Sequence, residues 1–497
     1  ACYAFRHPLT HEVALGALLS ERRRELHRRA ALAIAELNTE RPGEVAALIA
    51  QHYEQAGLAL EACTWYLTAA TWAMANDQPA ALRHLDRVRA RDHDLPDGAD
   101  SDRLRATARA LMLSIGWRIG ADLAKMRAIF AESVAAAVRA RDDRLLAHAQ
   151  IGFAYCALHA GGDCEEAAAL ATEALRTARR TGDGELITAA QMAVTYPYFF
   201  VGRIPDLLDA ARAVLEITAD QPDLNAGFTF ESPRGYAFLC CFLGLVVRGC
   251  TSEGLVMIDE ADAFLRSGGY NETRCWGAYF RLVTQRMAHA EMDETEVQIA
   301  REVHQIAEAI GGQFVKVVAQ ICLGATYLWA GQLAEAREVT THAVMLMEAW
   351  HGAGYLEAMV RPLHSLPLTE TGDALRGMAE AERAIDSCIQ TGNLFYRPWS
   401  CAAFAIAAAA SGTDLDRALE VLDDGERVVA DTGARGFLPE LLDARARVHA
   451  ARGEHEARLA TLRRSLQIAR ENQAQGWEKR FEDALADRTE PVGGQHE

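Results

Sequence analysis

The sequence predicts an all-α protein, a right-handed solenoid of about nine to ten stacked helical hairpins. Three observations predict it. Apolar residues recur at helical spacing nearly throughout, and glycines that could end helices recur every 40 residues or so. No alternating strand run bounded by hairpin turns occurs.

The periodicity is clearest in residues 163–180. Ala167, Leu170, Ala171, Ala174, Leu175 and Ala178 fall on one face, while Glu165, Glu166, Glu173, Arg176 and Arg180 fill much of the other. Asp163 with Glu166 three residues on resembles a capping box, and Gly182 follows as a stop. Leu415, Ala418, Leu419, Leu422 and Val429 repeat the spacing, as do Leu459, Leu462, Leu466 and Ala469. Prolines number 13, and Pro42, Pro79, Pro96, Pro205, Pro222 and Pro398 sit at expected boundaries. The candidate helix-ending glycines are Gly182, Gly227, Gly269, Gly312, Gly352, Gly392, Gly433 and Gly476, extended upstream by the Arg141–Asp143 turn and Gly98. A period near 40 in an all-helical chain means stacked helix pairs, none of which has a complete interior until its neighbour covers it.

One unit specifies the repeat type. In residues 320–343, Leu323, Gly324, Tyr327, Gly331, Ala336 and Ala343 resemble the tetratricopeptide signature. The small residues let two helices approach closely, Tyr327 is expected to fill the gap between them, and Gly331 permits the tight turn. Gly152, Tyr155, Gly161 and Ala168 keep the order with wider spacing. The spacing exceeds the usual ~34 residues, so longer helices are expected.

Composition narrows the functions available. Of 497 residues, 50% are hydrophobic and 24% charged, enough for a large core. A formal net charge of −18 opposes binding to phosphate backbones, and the sequence is expected to bind no nucleic acid. The basic cluster Arg22, Arg23, Arg24, His27, Arg28 and Arg29 is interrupted by Glu21 and Glu25, and reads as a solvated or protein-docking face. Eleven cysteines are scattered without a C-x-x-C pair, as expected of buried thiols in a reducing cytoplasm. The longest uncharged apolar runs, residues 235–247 and 399–412, are too short to span a bilayer. The sequence opens on Ala1 in mid-pattern, which suggests the downstream part of a longer protein.

Residues 4–90 carry a more distinctive resemblance. Phe5, Arg6, His7, Leu9, Glu12, Val13 and Ala14, followed by Arg22–Arg24, Leu26 and His27, resemble the end of the winged-helix-like part of an AAA/STAND-type ATPase. His52, Glu54, Ala56, Gly57, Trp65, Ala69 and Ala70 are similar to the first helix pair that follows it in two groups of bacterial signalling proteins. One is the class III adenylate/guanylate cyclases with a C-terminal tetratricopeptide region; the other is the large ATP-binding LuxR-type transcription regulators. Ala81, Leu82, Arg83 and His84, with Val88 and Arg89, are closer to the cyclases. LuxR-type regulators end in a DNA-binding helix pair, whereas this sequence ends in the polar TEPVGGQHE. The resemblance implies a winged-helix-like and junction segment over 1–40, first tetratricopeptide-like helices over 41–95, the array over 96–485 and a flexible tail over 486–497. It further implies a non-catalytic sensor and interaction region whose parent is an adenylate cyclase producing cAMP; the alternative is the inducer-binding region of a LuxR-type regulator. ATP and Mg would then be bound upstream in the parent, and the partners would include its own ATPase and cyclase modules.

Catalytic patterns fail on their chemistry. The three lysines, Lys125, Lys316 and Lys479, follow Ala124, Val315 and Glu478, so no Gly-Lys P-loop exists. His7, His11 and Glu12 miss the zinc-protease spacing because residue 15 is Leu15. Asp92, Asp94, Asp97, Asp100 and Asp102 lack the EF-hand glycine, Pro96 and Asp97 occupying the slots, and read as a solvated loop. Ser252 lies outside any nucleophile motif. No catalytic, cofactor or metal residue is therefore assigned. The candidate binding residues are Tyr196, Tyr198, Arg234, Tyr236, Arg274, Trp276 and Tyr279, since Tyr, Trp and Arg anchor interfaces. They would hold a protein, peptide or small effector in the concave groove, or simply fill gaps between helices. Homo-oligomerisation is left open, and no membrane partner is expected.

Overall fold

A computed structural model describes residues 19–74, 77–119, 122–159, 163–224, 232–289, 292–310, 312–349 and 354–486. Among them are 23 α-helices and no strand. The zinc-spacing residues His7, His11 and Glu12, the first part of the winged-helix-like segment, the 487–497 part of the tail, and Gly161, Gly227 and Gly352 lie outside the described residues. The chain divides into two compact units: Ala1–Ile119 with Ala124–Phe153, and Gly120–Leu123 with Ala154–Glu497.

The first unit contains α1 (Ser20–Leu37), α2 (Pro42–Ala56), α3 (Ala59–Ala73), α4 (Gln78–Ala90), α5 (Ala99–Gly116), α6 (Leu123–Ala140) and the start of α7 (Asp143–His159). Pro42 opens α2 where a missing N–H costs nothing, and Gly57 at φ 77° closes it. Asp77 caps α4 by accepting from the Ala80 amide. Each of α1 to α4 packs on the next, and alanines keep the approach close: Ala31, Ile49 and Ala62 are fully buried together. Arg22, Arg23, Arg24, Arg28 and Arg29 are exposed, as either a solvated or a protein-docking face requires.

The second unit contains α8 (Cys164–Thr181), α9 (Gly184–Phe200), α10 (Ile204–Ile217), α11 (Pro233–Val247), α12 (Thr251–Gly268), α13 (Asn271–Ala288), α14 (Glu294–Ile310), α15 (Gln313–Trp329), α16 (Leu333–Glu348), α17 (Gly354–Glu370), α18 (Ala374–Thr391) and α19 (Arg397–Ser411). It ends with α20 (Leu415–Thr432), α21 (Leu438–Ala451), α22 (His455–Glu471) and α23 (Gln475–Ala486). From α9 to α21 each odd-numbered helix packs on the next odd-numbered one, forming an inner row, while the even-numbered helices cover it from outside. The fold is a tetratricopeptide-like α-solenoid. Arg361 shows how neighbours are tied. Fully buried on α17, it donates from Nε to Glu357 (3.1 Å), from Nη1 to Glu380 on α18 (2.6 Å) and from Nη2 to Glu348 on α16 (3.1 Å).

The signature unit forms the hairpin α15–α16. Ala336 and Ala343 are fully buried, a side chain on Gly324 would strike Thr340, and Gly331 takes φ 77° in the turn. Tyr327 is half-buried and reaches backward: its hydroxyl accepts from Arg301 of α14 at 3.1 Å. Gly182, Gly269, Gly392 and Gly433 end helices in the left-handed conformation, as the spacing requires. Three of the ladder glycines do not. Gly312 precedes α15 with φ −67°, and Gly476 lies inside α23, where a side chain would collide with the His289 carbonyl. Gly98 likewise precedes α5 rather than ending a helix.

Candidate functional site

Two inner-row helices, α9 and α19, are buried on all sides over most of their length. Every residue from Thr188 to Phe200 on α9 is buried, as is every residue from Pro398 to Ala408 on α19. A helix buried all round needs cover on its concave side too. In the second unit that cover comes from the same chain, because the superhelix closes on itself. The Leu394 and Phe395 amides donate to the Phe200 carbonyl at 2.7 and 3.2 Å. The Phe199 and Phe395 rings lie 3.7 Å apart, and Phe395 meets Phe437 at 5.2 Å. Gly436 lies against the Val246 carbonyl, Gly249 against Asn472, and Gly476 against the His289 carbonyl. Residues 187 to 223 apart thus meet repeatedly along one seam, roughly five hairpins after the chain first passed.

This closure determines where the sequence-derived candidates lie. Tyr196, Tyr198, Tyr236, Trp276 and Tyr279 are all buried. Tyr196 stacks edge-on against Tyr236 (6.0 Å) and Trp276 (5.8 Å), and Tyr279 donates to the Tyr396 hydroxyl at 2.9 Å. Tyr198 pairs with Thr172 at 3.0 Å. Arg234 and Arg274 are half-buried; Arg234 donates to the Leu215 carbonyl, and Arg274 to Glu302. In this structure the rings fill the bore rather than line an open groove.

An open cleft of about 680 Å³ remains at the far end of the seam, where the inner-row helices α13, α15, α17, α19, α21 and α23 converge. Leu328, Trp329, Leu366, Ile406 and Met292 supply its apolar wall. Its floor is Arg286, whose side chain is 2% exposed. Arg286 donates to both Glu440 oxygens from Nε at 3.0 and 2.9 Å, and again from Nη2. Trp399 and Trp329 lie against the guanidinium at 4.1 and 5.3 Å, so the charge is held by two aromatic faces as well as by a carboxylate. Above this, Asp443 accepts from Arg447 (3.0 Å) and twice from Arg480 (3.2 and 3.1 Å). Trp477 closes one side: its Nε1 donates to the Arg286 carbonyl at 3.3 Å and its ring stacks on His289 at 4.4 Å. Burial, and secondarily the Arg480 charge, pulls the His289 imidazole down to about 4.

The charged wall is balanced. Arg286, Arg447, Lys479 and Arg480 face Glu370, Glu440, Asp443 and Asp483. A polyanion such as a nucleotide triphosphate would find no excess of positive charge there. A molecule with an apolar body and charges of both signs, or none, matches the wall.

A second groove, of about 530 Å³, lies in the first unit between α4, α5 and α6. Arg109, 4% exposed, donates to Glu132 at 2.7 Å and to Asp92, and Arg89 donates to Glu132 at 2.7 and 3.0 Å. Asp102 accepts from Arg139 at 2.8 Å and Arg105 at 3.2 Å. Asp92 and Asp102 are therefore part of an ionic network, which corrects the solvated reading for those two, while Asp94, Asp97 and Asp100 of the same run are exposed. The spacing gave no sign of the arginines 17 and 37 residues downstream that pair with them. The Arg89 guanidinium, reinforced by Arg109, holds the Glu132 carboxyl down at about 2.

Among the described residues no group of three or more His, Cys, Asp or Glu could hold a metal ion, and no helix is long and apolar enough to cross a membrane. The cysteines there are free thiols, buried except Cys250.

No protein-family model matches the chain, and no curated protein matches it. Solved structures do resemble it. A Rap protein complexed with competence and sporulation factor is 11% identical, with 84% of this chain and 99% of that one covered at a TM-score of 0.45. A signal transduction ATPase with numerous domains, carrying a tetratricopeptide repeat sensor, from Pyrococcus horikoshii is 13% identical, with 88% and 68% covered at 0.40. The apo form of RapI is 10% identical, with 83% and 98% covered at 0.35.

Proposed function

We propose that this chain is a non-catalytic regulatory and interaction region of a signalling protein, and that the cleft over Arg286 and Glu440 is its effector site. The observation that carries the reading is the cleft wall, in which an apolar strip and a charge-balanced rim are presented by six helices of one array. Such a site suits an amphipathic effector of little net charge, for which a short peptide is the leading chemistry. The resemblance over residues 4–90 supports a parent with an upstream ATPase, and Ala81–His84 with Val88 and Arg89 supports an adenylate cyclase in particular. ATP and Mg would then act in the parent and not here. A thermal-shift screen of the purified chain against short peptides of mixed sequence tests the site: a hit should raise Tm, and Ile406→Trp, which fills the cleft, should abolish the shift. Nucleotide turnover by the 497 residues alone would overturn the non-catalytic reading.

A further inference from the structure

The cleft and the seam share residues. Gln285, Arg286 and His289 come from the part of the superhelix laid down first, while Glu440, Asp443 and Trp477 come from the part that returns to it. Any molecule that fills the cleft touches both. The seam also changes character along its length. At one end it is aromatic, with Phe199 on Phe395 at 3.7 Å and Phe200 near Tyr396 at 5.9 Å. At the cleft end polar contacts enter it: one ion pair across 154 residues, with the Trp399 ring on its guanidinium, one indole hydrogen bond, and a histidine ring on a tryptophan.

The two ends should differ in how readily they part. Separating the aromatic end exposes large apolar surfaces to water. Separating the cleft end rehydrates a buried Arg and Glu, so much of the lost attraction is returned as solvation. Backbone conformation marks the same place. His289 at φ 50° and Gln473 at φ 54° are two of the four non-glycine residues in the left-handed region among the described residues, and they flank the α13–α23 contact from either side.

We propose that Arg286–Glu440 is the clasp of a two-state superhelix, hinged at its aromatic end, and that an effector in the cleft acts by holding the clasp closed. This rests on the reading of the cleft as the effector site. Closure is a property of the chain itself; the ligand biases it because it contacts both sides only when they are together.

Asn472 offers a reporter. It is 2% exposed, and a Cβ built on Gly249 across the seam would sit 3.5 Å from its own Cβ, so a thiol at 472 is shielded while the seam is shut. Asn472→Cys is made in a Cys250→Ser background and alkylated with iodoacetamide without ligand, read residue by residue by mass spectrometry. Native Cys388, 1% exposed on α18 beside Cys164 at the aromatic, hinged end of the seam, is the internal control. Position 472 should label at least tenfold faster than Cys388, and Glu440→Gln should raise its rate at least tenfold further while leaving Cys388 unchanged. Equal rates at the two positions would mean that the seam parts only on global unfolding, and would overturn the proposal. Should Glu440→Gln not fold, the comparison within the parent background decides alone. The measurement uses no effector, so it can fail while a peptide still shifts Tm, and the reverse.

Discussion

Tyr279 and Tyr396, 117 residues apart, share a hydrogen bond of 2.9 Å in the interior of the second unit. Burial pushes both phenols well above their ordinary range, so they remain neutral donor and acceptor at any working pH. Tyr279→Phe leaves the Tyr396 hydroxyl without this partner and should cost about 1–2 kcal/mol in urea unfolding. The double variant with Tyr396→Phe should cost less than the sum of the singles, the sign of direct coupling.

Gly476 tests the close approach of α23 to α13. A methyl group there collides with the His289 carbonyl, so Gly476→Ala should destabilise by about 1–3 kcal/mol as the helix is pushed away. Gly184, with nothing within 4 Å of its Cβ position, is the control. Gly184→Ala should be neutral or stabilising by up to about 1 kcal/mol in the same thermal melts.

His289 and His364 set an acid limit on the second unit. Burial lowers both from 6.5 to about 4. Between those values the unfolded chain binds more protons than the folded one, so stability falls as pH drops from about 6.5 through 4. The full loss is on the order of 3 kcal/mol for each ring. His289→Asn, which tolerates the left-handed backbone, should flatten the fall in Tm between pH 6.5 and 4; an unchanged slope would assign it elsewhere.

Glu132 governs the first unit at lower pH. Its carboxyl is held at about 2 instead of 4.5, so its contribution is complete above 4.5 and is lost as pH falls toward 2. Its side chain is 37% exposed, and solvent screening limits the contribution to about 1 kcal/mol. Glu132→Gln should remove that amount at pH 7 and almost nothing at pH 2, measured by chemical denaturation.

The helices, their pairing and the α15–α16 hairpin were legible in the sequence because each is set within about 40 residues: apolar spacing, a proline or aspartate at the start, a glycine at the stop. The same locality explains the misreadings. Gly312 and Gly476 fit the ladder by position, yet their roles are set by what faces them. The aromatic run from Tyr196 to Phe200 showed itself as apolar, but whether its inner side meets a ligand, solvent or protein depends on residues nearly 200 positions later. The apolar runs at 235–247 and 399–412 held the missing signal. Both are inner-row helices, α11 and α19, and a helix without a polar face must be covered all round.

The sequence alone determined the helical register, the repeat and the burial of every described thiol but Cys250, since those follow from neighbours along the chain. Only the tertiary structure decided that the superhelix closes, that Arg286 meets Glu440, and that the cleft opens beside them. Stacking each hairpin on the last adds a small rotation, and only the sum of several such rotations determines which distant residues come face to face.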